Sequence, residues 1–115
     1  MLRSGKVWGE SCPILQNPLV EFHRITVNAG YRCSIHKHEY KWNGFYVERG
    51  ILNIHVKKAD YDLTDRTTLN PGDFCMVKPG EYHWFECIEN CVAFELYWPE
   101  ILSEDIKRLD VGRAL

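Results

Sequence analysis

The sequence holds no long apolar run. No stretch approaches the ~20 apolar residues that a membrane-crossing helix needs. The opening "MLRSGKVWGES" contains no apolar segment of the kind a signal peptide carries. A basic surplus is also missing: 14 Lys and Arg stand against 16 Asp and Glu, a formal net charge of -2. That balance excludes a sequence-independent grip on nucleic acid, which needs a positive surface. There is no disulfide framework either. Cys12, Cys33, Cys75, Cys87 and Cys91 are odd in number and scattered through strand-like runs, so they read as small buried hydrophobes in a reducing compartment. Cys87 and Cys91 are close in sequence, but a zinc knuckle needs a second such pair. These absences lead to the expectation of a soluble, cytoplasmic protein with no nucleic-acid and no membrane partner.

What is present is a series of short strand-like runs. "LVEFHRITV" (Leu19 to Val27) is rich in β-branched and aromatic residues. "CSIHKH", "GFYVERG" and "ILNIHVKK" follow. In the last of these Leu52, Ile54 and Val56 alternate with Asn53, His55 and Lys57, the pattern of a half-buried strand. "LNPGDF" and "VKPGEY" each supply a Pro-Gly turn around the strand "DFCMV". "HWFECI" and "CVAFELYW" form a further pair, joined by Glu89 and Asn90. After Pro99, "SEDIKRL" reads as a short C-terminal helix, with Ser103 as cap and two acids in its first turn. There is no repeat and no low-complexity segment. At 115 residues the chain is expected to be one domain, residues 1–115, of all-β antiparallel sandwich or barrel type with that one short helix.

Within the strand series two histidines, His36 and His38, sit one residue apart. On a strand, residues i and i+2 share a face, so the pair could hold one ion. It could equally be two polar residues on a wet sheet face. A third histidine, His83, opens the run after "KPGEY". Imidazole suits Zn, Cu, Fe, Ni and Mn, and three histidines leave coordination positions open, as a catalytic site requires.

The surrounding spacing resembles the cupin family. Gly30, His36, His38 and Gly50 fall on its first motif, with Asn43 where the family has Glu. Gly72, Gly80 and His83 fall on its second, with the proline displaced to Pro79 and Cys87 in place of the final Asn. The resemblance implies a small antiparallel jelly-roll barrel. It also implies one divalent transition metal (Zn, Mn, Fe or Ni) on His36, His38 and His83, with Asn43 as the fourth partner. An amide brings an acceptor oxygen but no charge. Binding is therefore expected to be weaker than with Glu, and Asn43→Glu to tighten it. Glu39, Glu48 and Glu81 are the nearby acids that could substitute.

A narrower likeness lies outside the motifs. "KVWGES", "FHRITVNAGYRCSIHKH" and "LSEDIKRLDVGR" are similar to segments of the cupin domain of type II mannose-6-phosphate isomerases. This implies a small polar ligand, with a sugar or sugar phosphate first in line, and an isomerase- or epimerase-like reaction. Three-histidine non-haem iron dioxygenases of the same superfamily give a second reading, and a non-catalytic ligand-binding cupin a third. In "CVAFELYW", Glu95 shares a face with Cys91, Ala93 and Tyr97. If that face lines the barrel, Glu95 is a buried carboxylate suited to proton transfer. Tyr46 and Trp84, beside the motif residues, are candidate walls for the ligand. Arg113, in "VGR", is a candidate phosphate partner. His23 and His55 lack a motif partner and read as structural or exposed. A second copy of the chain is an expected partner, because small barrels leave edge strands to cover.

Overall fold

The computed structural model describes residues 3–58, 60–100 and 106–115. Seven strands build it: β1 (Ser4–Lys6), β2 (Gly9–Gln16), β3 (Glu21–Val27), β4 (Lys41–Lys57), β5 (Thr64–Leu69), β6 (Phe74–Val77) and β7 (His83–Pro99). All pairings are antiparallel, in the order β1-β2-β3-β7-β4-β5, with β6 on the first half of β4.

Two strands carry the architecture. β4 and β7 run 17 residues each and pair along their whole length, from Lys41↔Pro99 to Val56↔His83. The sequence suggests four separate runs here; the chain fuses them into two bent strands. The bend is marked by register shifts between Val47 and Leu52. Gly50 sits at its centre with φ of 84°, and a Cβ there would run into the Asn90 carbonyl. Only glycine combines that backbone with that approach.

The bend folds the sheet back on itself. Its interior is apolar in the middle: Ile25, Val27, Phe45, Val47, Leu52, Ile54, Phe85, Cys87 and Ala93 are buried, and each full burial of a Val, Leu, Ile or Phe side chain contributes ~1.5–3 kcal/mol. Alternation sends the intervening residues outward, so Tyr46, Phe74 and Met76 lie on the outer face.

Two local expectations need correction. The segment 33–38 is not a strand; it makes one isolated bridge, His36↔His83, and a second, Arg32↔Glu86, lies just before it. Three steps separate Cys33 from His36, whereas two separate their partners Phe85 and His83, so an extra residue breaks the ladder. The expected C-terminal helix is also not found. Part of it, residues 103–105, lies outside the described residues. Residues 106–109 are not helical, and Ile106 and Leu109 are exposed. A helix that short needs an apolar face packed on a neighbour, and these two side chains are exposed instead.

Candidate metal centre

The segment before β4 and the start of β7 bring the three histidines together. His36 and His83 bond backbone to backbone, His36 N to His83 O at 3.1 Å and His83 N to His36 O at 2.8 Å. This places their rings side by side, with centroids 4.6 Å apart; His38 lies 5.1 Å from His36 and 5.5 Å from His83. One ring nitrogen from each falls within 4.8 Å of the others.

The hydrogen bonds fix which nitrogen faces the centre. His36 Nδ1 donates to the Ser34 carbonyl at 2.8 Å, and His83 Nδ1 donates to the Glu81 carbonyl at 2.9 Å. A carbonyl only accepts, so in each neutral ring the proton sits on Nδ1 and Nε2 keeps its lone pair. His83 Nε2 then faces Asn43 Oδ1 at 2.8 Å, an acceptor opposite an acceptor. Burial holds that ring neutral: it pushes the His83 pKa down to about 4, helped by His36 and His38 and opposed by the Glu81 carbonyl. His38 is pushed down as well, by burial first and then by His36. Its Nε2 is buried with no hydrogen-bond partner among the described residues. Converging lone pairs with no proton to share suit a cation, and the donor set of three imidazoles and an amide oxygen fits a divalent transition metal.

Among the described residues no carboxylate joins this group. Glu81 turns away to Lys58, 3.2 Å from its Nζ. Glu48 is exposed on β4, and Glu39 is exposed at the cavity wall. Asn43 is buried on β4, and its Nδ2 donates to the Leu96 carbonyl at 3.1 Å.

Glu95 stands on β7 beside this amide, with Phe45 and His23 as its partners across the two neighbouring strands. Burial raises its pKa; hydrogen bonds from Tyr97 and Asn43 and the charge of His36 oppose the rise. Next to it, burial and the Glu95 charge push the Tyr97 hydroxyl far up.

A cavity of about 700 Å³ opens over the site, lined by His36, His38, Glu95, Tyr97, His23, Glu21 and Lys41, with Trp8 and Phe85 as an apolar wall. Trp8 meets Phe85 edge-on at 4.9 Å. Sequence reasoning missed Glu21, His23, Lys41 and Tyr97 as wall residues. His23 is not exposed: it lies 3.2 Å from Glu21, which also meets Lys41 Nζ at 3.4 Å. The signal was the period of two, since Glu21 and His23 continue the face of the buried Ile25 and Val27.

Three expected wall residues lie elsewhere. Tyr46 follows the buried Phe45 and therefore points outward, against Phe94. Trp84 follows the buried His83 and stacks on His55 outside the cavity, ring centroids 4.8 Å apart. Arg113 is exposed in the C-terminal segment and does not line the cavity.

Solved structures share this fold at low identity. KdgF from Halomonas sp. matches with a TM-score of 0.71 and 16% identity, over 85% of this chain and 86% of that one. The capsular polysaccharide assembling protein CapF from Staphylococcus aureus gives 0.75 and 15%, over 89% of this chain and 29% of that one. An oxalate decarboxylase variant from Bacillus subtilis gives 0.76 and 10%, over 85% and 27%. The chain thus spans under a third of the last two. No curated protein matches it in sequence. The sequence matches the family described as "Cupin domain" across residues 23–98, more than half of its length, and the chain belongs to that family.

Proposed function

We propose that His36, His38 and His83 hold one divalent transition metal, with Asn43 Oδ1 beside it, and that the cavity takes a small polar metabolite. A sugar or sugar phosphate is the first candidate, and the reaction is isomerisation or epimerisation beside a carbonyl. The observation that carries this is the convergence of three imidazoles beside a cavity that His36, His38 and the buried Glu95 line.

A bound metal would polarise a substrate oxygen and acidify the adjacent C–H. Glu95 would take the proton from that carbon and return it to the carbonyl carbon, while the proton of the adjacent hydroxyl passes to the carbonyl oxygen, with no net change in protons. Tyr97 and Asn43 hold the carboxylate in place during the transfer. Trp8 and Phe85 give an apolar surface for the sugar face. Lys6, Lys37 and Lys41 at the wall suit an anionic substituent. A CapF structure, of which this chain matches 30%, holds the inhibitor 3-isopropenyl-tropolone, which favours a small-molecule ligand.

The test is proton exchange. Metal-loaded protein is incubated in D₂O with a panel of aldose and ketose phosphates, and deuterium at the carbon beside the carbonyl is followed by NMR. Exchange is expected in the wild type and absent in Glu95→Gln at saturating metal. No exchange across the panel would remove the isomerase reading.

The absence of a carboxylate from the ligand group favours a second reading, a three-histidine iron dioxygenase. Uptake of oxygen by the Fe(II)-loaded protein with thiol or diketone substrates would move the assignment there.

A further inference from the structure

We infer that Glu21 and Lys41 form a second recognition point of the cavity, one that grips a neighbouring pair of hydroxyls, so that a polyol end of the ligand lies here and an anionic end does not. The inference rests on the sugar reading above and deepens it, because it says which part of the ligand lies where.

Three strands converge on the Glu21 carboxylate. Gln16, at the end of β2, donates from Nε2 to its Oε1 at 3.0 Å. His23, two residues along β3, reaches the same oxygen from its own Nε2 at 3.2 Å. Lys41, at the start of β4, donates from Nζ to Oε2 at 3.4 Å. A carboxylate accepts only, with about two lone-pair places on each oxygen. Oε1 is therefore filled, while Oε2 keeps one place. The Lys41 ammonium has three N–H donors and uses one of them here. The Glu21 side chain is 26% exposed and that of Lys41 34%, and both line the cavity.

The wall thus offers an acceptor and a donor side by side. A hydroxyl both donates and accepts, so one can donate to Oε2 while its neighbour on the next carbon accepts from Nζ. A phosphate has little to donate, and it would meet Lys41 only beside a second negative charge. That charge is present at neutral pH. Burial raises the Glu21 pKa, but the hydrogen bonds from His23 and Lys41 outweigh it and hold the carboxyl below its usual value. Of the three lysines at the wall, Lys41 is matched by Glu21, and an anionic substituent belongs with Lys6 and Lys37.

The placement suits a sugar. Glu21 pairs with Tyr97, and Tyr97 with Asn43, so Glu21 stands two strand spacings, ~10 Å, from Asn43. A ligand whose reacting end lies at the histidines meets Glu21 with its far hydroxyls. Stability accounts for little of the cluster, since ion pairs this exposed contribute little.

The experiment is a ligand-observed NMR titration of the Zn(II)-loaded protein. The probes are D-glucose, D-mannose and D-fructose, the singly deoxygenated forms of each, and inorganic phosphate. Loss of one hydroxyl of the gripped pair should weaken binding to the wild type about 10- to 100-fold, the range for hydrogen bonds to charged groups. Glu21→Gln should weaken the parent sugar by a similar factor and leave the form lacking that hydroxyl unchanged. Lys41→Met should do the same for the neighbouring hydroxyl, and it carries the test if Glu21→Gln does not fold. Phosphate should bind more tightly to Glu21→Gln than to the wild type. Zn(II) affinity should stay within about threefold in both variants, below the range of residues that orient a metal ligand. Melting curves check that each variant is folded. If both variants weaken parent and deoxygenated sugars alike, or weaken neither, the inference is overturned and the sugar reading stands. Phosphate binding that does not rise in Glu21→Gln overturns the exclusion of an anionic end. A wild type that binds none of the sugars overturns both the inference and the sugar reading.

Discussion

The two ends of this barrel are made from the same two strands and differ in what those strands turn inward. The second half of β4 and the first half of β7 present Leu52, Ile54, Phe85 and Cys87 to the interior, all nearly inaccessible. The other halves present Asn43, Glu95 and Tyr97 besides the apolar Phe45, Val47 and Ala93, and β3 adds Glu21 and His23 beside them. Backbone pairing is equally complete at both ends, so the difference is one of side chains alone. The apolar end gains free energy from burial. At the site, Asn43 and Glu95, joined by His83 from the very start of β7, are desolvated, which opposes folding unless each finds a partner. Such residues are retained at that cost where they serve a site.

Breaking the apolar interior and the histidine group separately should therefore give opposite signatures. Ile54→Ala removes a fully buried side chain from the apolar end and should cost about 2–5 kcal/mol of stability. The protein that remains folded should bind metal with wild-type stoichiometry. His83→Ala should do the reverse, lowering metal affinity by more than the ~100-fold that outer partners control, with a smaller loss of stability. Thermal melts and metal titrations on the two variants check this. Metal binding that survives His83→Ala would remove the ligand assignment.

A substitution at the bend should affect both ends together. Gly50→Ala forces a left-handed φ on a residue with a Cβ and drives that Cβ toward the Asn90 carbonyl. The expected cost is about 1–3 kcal/mol, read from denaturant unfolding. Because β4 must bend there for its two halves to face one interior, metal affinity should fall in the same variant. A stable Gly50→Ala protein with unchanged affinity would mean that the bend tolerates other backbones.

Much of the polar end was legible in the sequence because the motif residues are set by spacing. His36, His38 and His83 come together even though the segment carrying the first two is not a strand, so the outcome was right while the strand argument for it was not. The barrel was legible from alternation and turn residues. Two other features were not. The C-terminal helix rested on a cap residue and two acids, local signals worth little without a packed face. The walls of the cavity depend on which face of each strand turns inward, and for β3 that is decided by Ile25 and Val27 rather than by the histidine itself. The inward placement of Glu95 was legible because its strand offers a clear choice between Val92, Phe94, Leu96, Trp98 and the opposite face.

The smallest effect is expected where sequence neighbourhood and strand geometry disagree. Tyr46 and Trp84 each adjoin an inward residue, Phe45 and His83, and nearness along the chain suggested that they wall the ligand. A strand places consecutive side chains on opposite faces, so nearness by one residue argues for the outside. Tyr46 packs on Phe94 and Trp84 on His55, both away from the cavity. Tyr46→Ala and Trp84→Ala should therefore leave metal affinity within about twofold of wild type, below the range that orienting residues control. Their effect should be confined to stability, through the loss of one ring pair worth about 0.5–1.5 kcal/mol beyond its buried area. Isothermal titration beside a melting curve separates the two readouts. A tenfold loss of metal affinity in either variant would mean that the outer face communicates with the site, and the division between the ends would not be one of side chains alone.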